Sequence, residues 1–262
     1  MNNFRFGNKK DKNSGNRLYL VDAVRGFAVI DMVLFHFCYD VFVIFMGEPN
    51  WPYADSTRFW QRTICITFIL ISGFSFCLGR SHLKQAFKLL GTGALLTAVT
   101  YFFVPSLVIY YGIIFFLGEA ALITAGLNKL LKGRFSAAGL CASLILFLVF
   151  YEVSSGTLNL FFTQIQLPET LYSTIWLVWL GFPNEGFYSS DYFGVFPWIF
   201  IYLTGYFIYN LLKEKISGIR AFYFRFPLLE FFGRHSYFIY LIHQPVCYII
   251  AGLVFGNIFE IF

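Results

Sequence analysis

The sequence predicts an all-α fold: a polytopic membrane bundle of about seven transmembrane helices, N-terminus cytoplasmic and C-terminus outside. Three observations lead there. Of the 262 residues, 58% are hydrophobic and only 13% are charged, whereas soluble domains carry about 25% charged residues. Apolar stretches at 18–46, 60–79, 86–104, 106–127, 135–152, 192–212 and 232–257 each come near the roughly 20 residues a helix needs to cross the hydrocarbon core. Lysine and arginine, finally, alternate from one side to the other across those stretches.

Taken in order, the first 17 residues, MNNFRFGNKKDKNSGNR, are polar and basic and read as a disordered cytoplasmic tail. A single domain over 18–262 follows. Its opening apolar stretch has no small-residue cleavage site after a short core, so it reads as an anchor and not a signal peptide. At 18–46 it is longer than one crossing requires and must tilt or protrude. The LGTGALL around Gly91 and Gly93 follows no strand. It reads as small-residue helix packing and not as a phosphate loop. Pro105 and Ser106 punctuate the third and fourth spans as a tight hairpin. The long 153–191 connection is too apolar for a solvated linker. Its LYSTIWLVWLGFP reads as an interfacial or re-entrant piece at 167–182, with Trp176 and Trp179 at headgroup level, or as an incomplete eighth span.

The charges set the orientation. One side holds Arg5, Lys9, Lys10, Lys12, Arg17, Arg80, Lys84, Lys88, Lys129, Lys132, Arg134, Lys213, Lys215, Arg220 and Arg225. The other holds Glu48, Asp55, Arg58, Arg62, Glu152, Glu169, Glu185 and Asp191. The net charge of +5 therefore serves orientation and lipid contact first and an acidic cytoplasmic ligand second, and it implies no nucleic-acid partner. The aromatic excess, 36 Phe and 17 Tyr, suits lipid-facing and interfacial positions. Cys38, Cys65, Cys77, Cys141 and Cys247 lie in apolar segments without CxxC spacing. They read as buried free thiols, with neither a disulfide framework nor a zinc site.

The residues that suggest chemistry sit inside the spans. In LYLVDAVRGFAVIDMVLFHFCYDVFVIFM, at about 100° per residue, Asp22, Arg25, His36 and Asp40 share an arc of roughly 60°, and Asp31 falls off it. An ionisable stripe is expensive in lipid, so it should face protein or a water-filled cavity. His36 and Asp40, at i and i+4, can place a carboxylate on one imidazole nitrogen and leave the other as base or nucleophile. They could equally form a polar pair that only locks helices together. Arg25, with Asp22 one turn away, is either a snorkelling interfacial cation or a phosphate clamp at the cytoplasmic mouth of a groove. The last span, GRHSYFIYLIHQPV, puts Ser236, Tyr240 and His243 on one face, with Arg234 pointing the opposite way toward the inner interface. Gln244 and Pro245 follow, and the proline can free a backbone carbonyl. Glu119 in FLGEAAL lacks a local basic partner and either pairs with Arg25 or Arg234 or is protonated.

DAVRGFAVIDMVLFH resembles the first-helix signature of transmembrane acyltransferases, in which an Arg and a His are separated by ten residues. GRHSYFIYLIHQPV resembles the final helix of the same superfamily. With ILISGFSFCLGRS and DYFGVFPW, the chain over 17–250 is most similar to the small bacterial relatives of heparan-α-glucosaminide N-acetyltransferase. That resemblance implies a multi-pass protein of the bacterial cytoplasmic membrane. It would move an acetyl or similar acyl group from cytoplasmic acyl-CoA, acetyl-CoA first, to an amine or hydroxyl of an exported glycan or other envelope acceptor, without a metal. Carried over, Arg25 and His36 match the family's Arg and His, and Ser236, Tyr240 and His243 match its last-helix set. CoA phosphates would then bind near Arg25, Asp22, Arg234 and the inner basic loops. His36, oriented by Asp40, would act as base or acyl carrier, and Ser236, Tyr240, His243, Gln244 and Glu119 would belong to the cavity. One departure stands out: relatives often carry a His after Gly-Ile-Leu in the fourth span, where this chain has Gly112-Ile113-Ile114-Phe115.

Two other classes fit the bare pattern. A transporter or channel would use the stripe as a proton or solute path, though no internal repeat is visible. A non-enzymatic membrane scaffold would use the polar residues as glue between helices.

Overall fold

The computed structural model describes residues 17–131, 134, 136–160 and 162–255. The predicted tail over 1–16, Lys132 and the last two residues of the predicted final span lie outside the described residues. The chain forms α1 (Tyr19–Tyr39), continued by a π-helix over Asp40–Phe45, then α2 (Asp55–Phe76) and α3 (His82–Phe103). Next come α4 (Ile113–Leu131), α5 (Ser136–Phe150) and α6 (Val195–Leu212). The chain closes with α7 (Pro227–Arg234) and α8 (Ser236–Phe255). Among the described residues, α1 with its π continuation, α2 to α4, α5 with the 3₁₀ turn that extends it to Ser155, α6, and α8 are the seven helices long and apolar enough to cross a membrane. The protein is a multi-pass helical bundle, as its composition predicts.

Four helix pairs make the frame: α1 with α7, α2 with α6, α3 with α4, and α5 with α6. Val29, Ile69, Phe116, Ala120 and Tyr206 fill the centre and are almost completely buried. α3 lies on the rim and turns Leu95, Val99, Phe102 and Phe103 outward, the arrangement expected where lipid is the solvent. The predicted packing role of the LGTGALL run holds at Gly93, where a Cβ would come 2.6 Å from that of Phe115 on α4. Gly91 meets nothing within 4 Å. Of the cysteines, all five are free, but only Cys247 is fully buried and Cys141 is exposed on α5.

Cation–ring contacts tie segments at the same end together. Arg225 lies 4.1 Å over the Tyr19 ring, and Lys88 lies 4.1 Å over Tyr237. At the other end Arg62 sits 4.9 Å over Tyr151. The 153–191 connection is not an eighth span. It forms a hairpin of β1 (Thr157–Leu160) and β2 (Thr163–Gln166), paired antiparallel, and then two short 3₁₀ segments, Glu169–Tyr172 and Ile175–Leu180. Trp176 on the second is exposed, while Val178 beside it is buried and accepts a hydrogen bond from the Tyr192 hydroxyl at 2.5 Å.

Two predicted boundaries are corrected. The fourth helix begins at Ile113, not at 106, so Pro105 and Ser106 open a 3₁₀ turn (Pro105–Leu107) and not a tight hairpin. The chain from Val108 to Tyr111 instead spends its backbone groups on the distant segment 189–193. Ser190 N–H donates to Val108 O (3.0 Å), Phe193 N–H to Tyr111 O (2.9 Å), and Tyr110 N–H to Ser189 Oγ (2.9 Å). The last span is broken at His235 into α7 and α8. The reason lies in the contact with α1. A Cβ on Gly233 would stand 1.8 Å from Asp22 O, and one on Gly26 would stand 1.9 Å from Leu229 O. Only two glycines let these backbones touch, and the chain must turn before α8 can continue along α1.

Candidate active site

The stripe on α1 faces protein. Its N-terminal end forms a polar cluster: Arg17 Nε donates to Asp22 Oδ2 at 2.7 Å, and Arg25 reaches Asp22 Oδ1 at 3.4 Å. Arg25 also donates to Ser75 Oγ on α2 at 2.5 Å. Asp22 is thus the local partner the sequence suggests, while Ser75, part of the ISGFSF run, is a partner that spacing along one helix does not reveal. Off the stripe, Asp31 accepts from Trp60 Nε1 at 2.8 Å, which gives that carboxylate its own partner on α2.

These residues line a cavity of about 600 Å³, within the usual size range of small-ligand sites. Arg17, Arg25, His82 and Arg234 stand on its polar wall, and Ser236 and Tyr240 lie further along it. Arg234 therefore shares the cavity with Ser236 and does not point the opposite way, because the break at His235 removes the single-helix geometry on which that expectation rests. Arg234 is tied back to α7, with Nε donating to Glu230 O at 3.1 Å and a guanidinium nitrogen 3.8 Å from Glu230 Oε2. Glu230, almost fully buried, also takes Arg225 Nε at 2.8 Å and the Phe226 amide at 2.9 Å.

Beyond Tyr240, α1 and α8 bring the two histidines together. The His36 and His243 rings are 4.7 Å apart, centroid to centroid, in an edge-on arrangement. His243 Nδ1 lies 2.6 Å from Tyr240 O. A carbonyl can only accept, so Nδ1 carries the hydrogen and a neutral ring keeps its lone pair on Nε2. Nε2 is buried and has no partner within the protein. Neither histidine lines the large cavity. Tyr240 stands between, its ring 5.4 Å from that of His243.

The predicted His36–Asp40 pair is not the bond that forms. At Asp40 the backbone changes from α to π winding, and the carboxylate, fully buried, accepts from Gln244 Nε2 on α8 at 2.9 Å. Gln244 lies beside His36 as well, so it links the two. Asp40 Oδ2 and Gln244 Oε1 remain buried without a partner. π-turns of this kind concentrate at functional sites. Glu119 pairs with neither Arg25 nor Arg234; those cations are taken by Asp22 and Glu230, and Glu119 Oε2 is buried without a partner.

The sequence places Asp191 among the outer-side charges and at the head of DYFGVFPW, without assigning it to the site. In the structure its Oδ2 accepts from the Ile113 amide, the first of α4, and from the Tyr240 hydroxyl, both at 3.1 Å. Burial pushes the Asp191 carboxyl up from the ordinary carboxylate range, and these two hydrogen bonds pull part of the way back. Phe115, where relatives often carry His, packs against Gly93 and the edge of Tyr111 (5.8 Å between ring centroids). Among the described residues there is no group of three or more His, Cys, Asp or Glu able to hold a metal ion.

The arrangement can bind an anion at its arginine-rich mouth, offer hydroxyl donors along one wall, and supply imidazole lone pairs beyond Tyr240. Neither a curated protein nor a solved structure matches the chain significantly. The family model described as heparan-α-glucosaminide N-acetyltransferase, catalytic, matches residues 17–245, and so takes in every residue of the cavity and both histidines. The chain belongs to the family of the heparan-α-glucosaminide N-acetyltransferase catalytic domain.

Proposed function

We propose that this protein is a membrane acetyltransferase that takes an acetyl group from cytoplasmic acetyl-CoA and passes it to an amine or hydroxyl of an exported glycan or other envelope acceptor. The observation that carries this reading is the cavity itself, with Arg17, Arg25 and Arg234 on one wall and Ser236 and Tyr240 leading toward the histidine pair. Guanidinium groups suit the phosphates of CoA, because their planar forks match phosphate oxygens. With those phosphates at the basic end, the thioester at the far end of the pantetheine arm stands near Tyr240 and the histidines. The orientation with the N-terminus inside follows from the basic loops and puts the donor mouth in the cytoplasm.

The transfer then needs three things from the chain. An imidazole, His36 or His243, removes the proton from the attacking nitrogen or oxygen as it bonds to the thioester carbon. A hydroxyl donor such as Ser236 stabilises the negative charge that develops on the thioester oxygen, while the Tyr240 hydrogen is given to Asp191. The carbon–sulfur bond breaks, and the CoA thiolate leaves and takes up a proton. If His36 carries the acetyl group transiently, the same steps run twice, first with the imidazole as the nucleophile.

Polar residues serving only as glue between helices would satisfy one another. Asp40 Oδ2 and His243 Nε2 do not, and buried groups left in that state are costly unless a ligand or water meets them. The direct test is thermal stabilisation of the purified protein by acetyl-CoA, compared with N-acetylcysteamine thioester, which lacks the phosphates. Stabilisation by acetyl-CoA that disappears in Arg25→Ala supports the reading, and no stabilisation at millimolar acetyl-CoA overturns it.

A further inference from the structure

Asp191 lies just ahead of α6, far in sequence from α8, yet it is bonded to Tyr240, which lines the large cavity and packs against His243. Its Oδ2 accepts the Tyr240 hydroxyl and the Ile113 amide, each at 3.1 Å. The site is built around that carboxylate. A Cβ at residue 112 would come 2.8 Å from Asp191 Oδ2, so Gly112 leaves the space the oxygen occupies. On either side, the bonds of Ser190 to Val108, Phe193 to Tyr111, and Ser189 to Tyr110 clamp the segment in place. Tyr240 in turn lines the cavity with its side chain and holds His243 Nδ1–H with its carbonyl. The hydroxyl anchored by Asp191 and the carbonyl that fixes the His243 imidazole therefore belong to one residue.

We infer that Asp191 is a positioning residue for acetyl transfer: it takes the single hydrogen of the Tyr240 hydroxyl and so fixes the Tyr240 side chain against His243, between the cavity and the imidazole. The inference rests on the acetyltransferase reading above. A phenol free to swing on its two side-chain torsions would support the His243 ring only part of the time. One fixed to a carboxylate stays in place and keeps the imidazole oriented for the reaction. Donor affinity depends on the arginines at the other end of the cavity, so Asp191 should affect turnover and leave binding alone.

The test is steady-state acetyl transfer by the purified full chain in D191A, D191N, Y240F and the double variant D191A/Y240F, with melting temperatures measured in parallel. Asp191→Ala should lower kcat by about 10- to 100-fold while the KM for acetyl-CoA stays within about twofold. In the Y240F background the same substitution should cost almost nothing more, because the group it positions is already gone. D191N keeps an oxygen that accepts from Tyr240, so its kcat should stay within about threefold of wild type. Equal, fully additive losses from D191A in both backgrounds would overturn the inference, as would D191A with wild-type kcat. Should D191A fail to fold, D191N decides alone: a collapse of its kcat would assign Asp191 a role that needs its charge and not its position. A wild-type protein that transfers no acetyl group would refute the acetyltransferase reading instead, so the two failures are distinguishable.

Discussion

Gly233→Ala is the substitution whose effect can be worked out most fully from the packing. The new Cβ would stand 1.8 Å from Asp22 O, about 1.6 Å short of the 3.4 Å at which ordinary van der Waals contact begins. The neighbours are all backbone: Asp22 O, Asp22 C and Gly26 N. No side chain can swing aside, so α7 must move away from α1 by most of that distance. Overpacking a well-filled contact costs about 1–3 kcal/mol, and the absence of a yielding neighbour puts this case near the upper end. A fall of about 5–10 °C in melting temperature follows for a chain of this size. The same movement separates Arg25 on α1 from Arg234 on α7, both of which line the cavity. Loss of one charge-assisted contact to a phosphate, about 1.5 kcal/mol, corresponds to roughly tenfold weaker acetyl-CoA binding. The assay is thermal unfolding in detergent with and without acetyl-CoA, beside Gly91→Ala as a control. Gly91 meets nothing within 4 Å, and alanine gains about 1 kcal/mol over glycine within a helix, so that variant should melt at or above the wild-type temperature. Gly233→Ala with wild-type stability and wild-type donor affinity would refute the proposed α1–α7 contact.

Further outcomes are expected at the polar sites. Arg25→Ala should raise the Kd for acetyl-CoA by about tenfold or more while leaving a phosphate-free acetyl thioester unaffected, as read by competition binding. Gln244→Ala strands the fully buried Asp40 carboxylate and should destabilise by about 1–3 kcal/mol. Asp40→Asn in that background should recover part of the loss, measured as a double-mutant cycle on melting temperature. Trp60→Phe removes the donor to Asp31 and should lower stability by a similar amount with little change in acetyl transfer, since neither residue touches the cavity.

Most of the bundle was legible because lipid imposes a coarse rule. A spanning segment must be long and apolar, and its flanking lysines and arginines fall on one side. All seven spans and the inward-facing stripe follow from that rule and from the 100° period of the helix. What was not legible depends on contacts between distant segments. The break at His235 follows from the meeting of Gly26 and Gly233, which lie more than two hundred residues apart. The late start of α4 follows from backbone bonds between 108–111 and 189–193. Asp40 illustrates the same limit at the site. Spacing along α1 offers it His36, while the fold offers it Gln244 across the helix interface, and the π-turn lets it take the second. Asp191 heads the DYFGVFPW motif, but its place in the site is not legible there because its partners, Ile113 and Tyr240, sit on two other helices.

The central claim is that acetyl transfer depends on the histidine pair at the deep end of a donor cavity. It is tested most directly by single-turnover acetyl transfer and acetyl-CoA binding measured together on purified wild-type protein and His36→Ala. The account predicts that His36→Ala binds acetyl-CoA as wild type does, because His36 does not line the donor cavity. Its transfer rate should fall by about 10²- to 10⁴-fold, the range for loss of a general acid–base group. Transfer by His36→Ala at the wild-type rate would contradict the account.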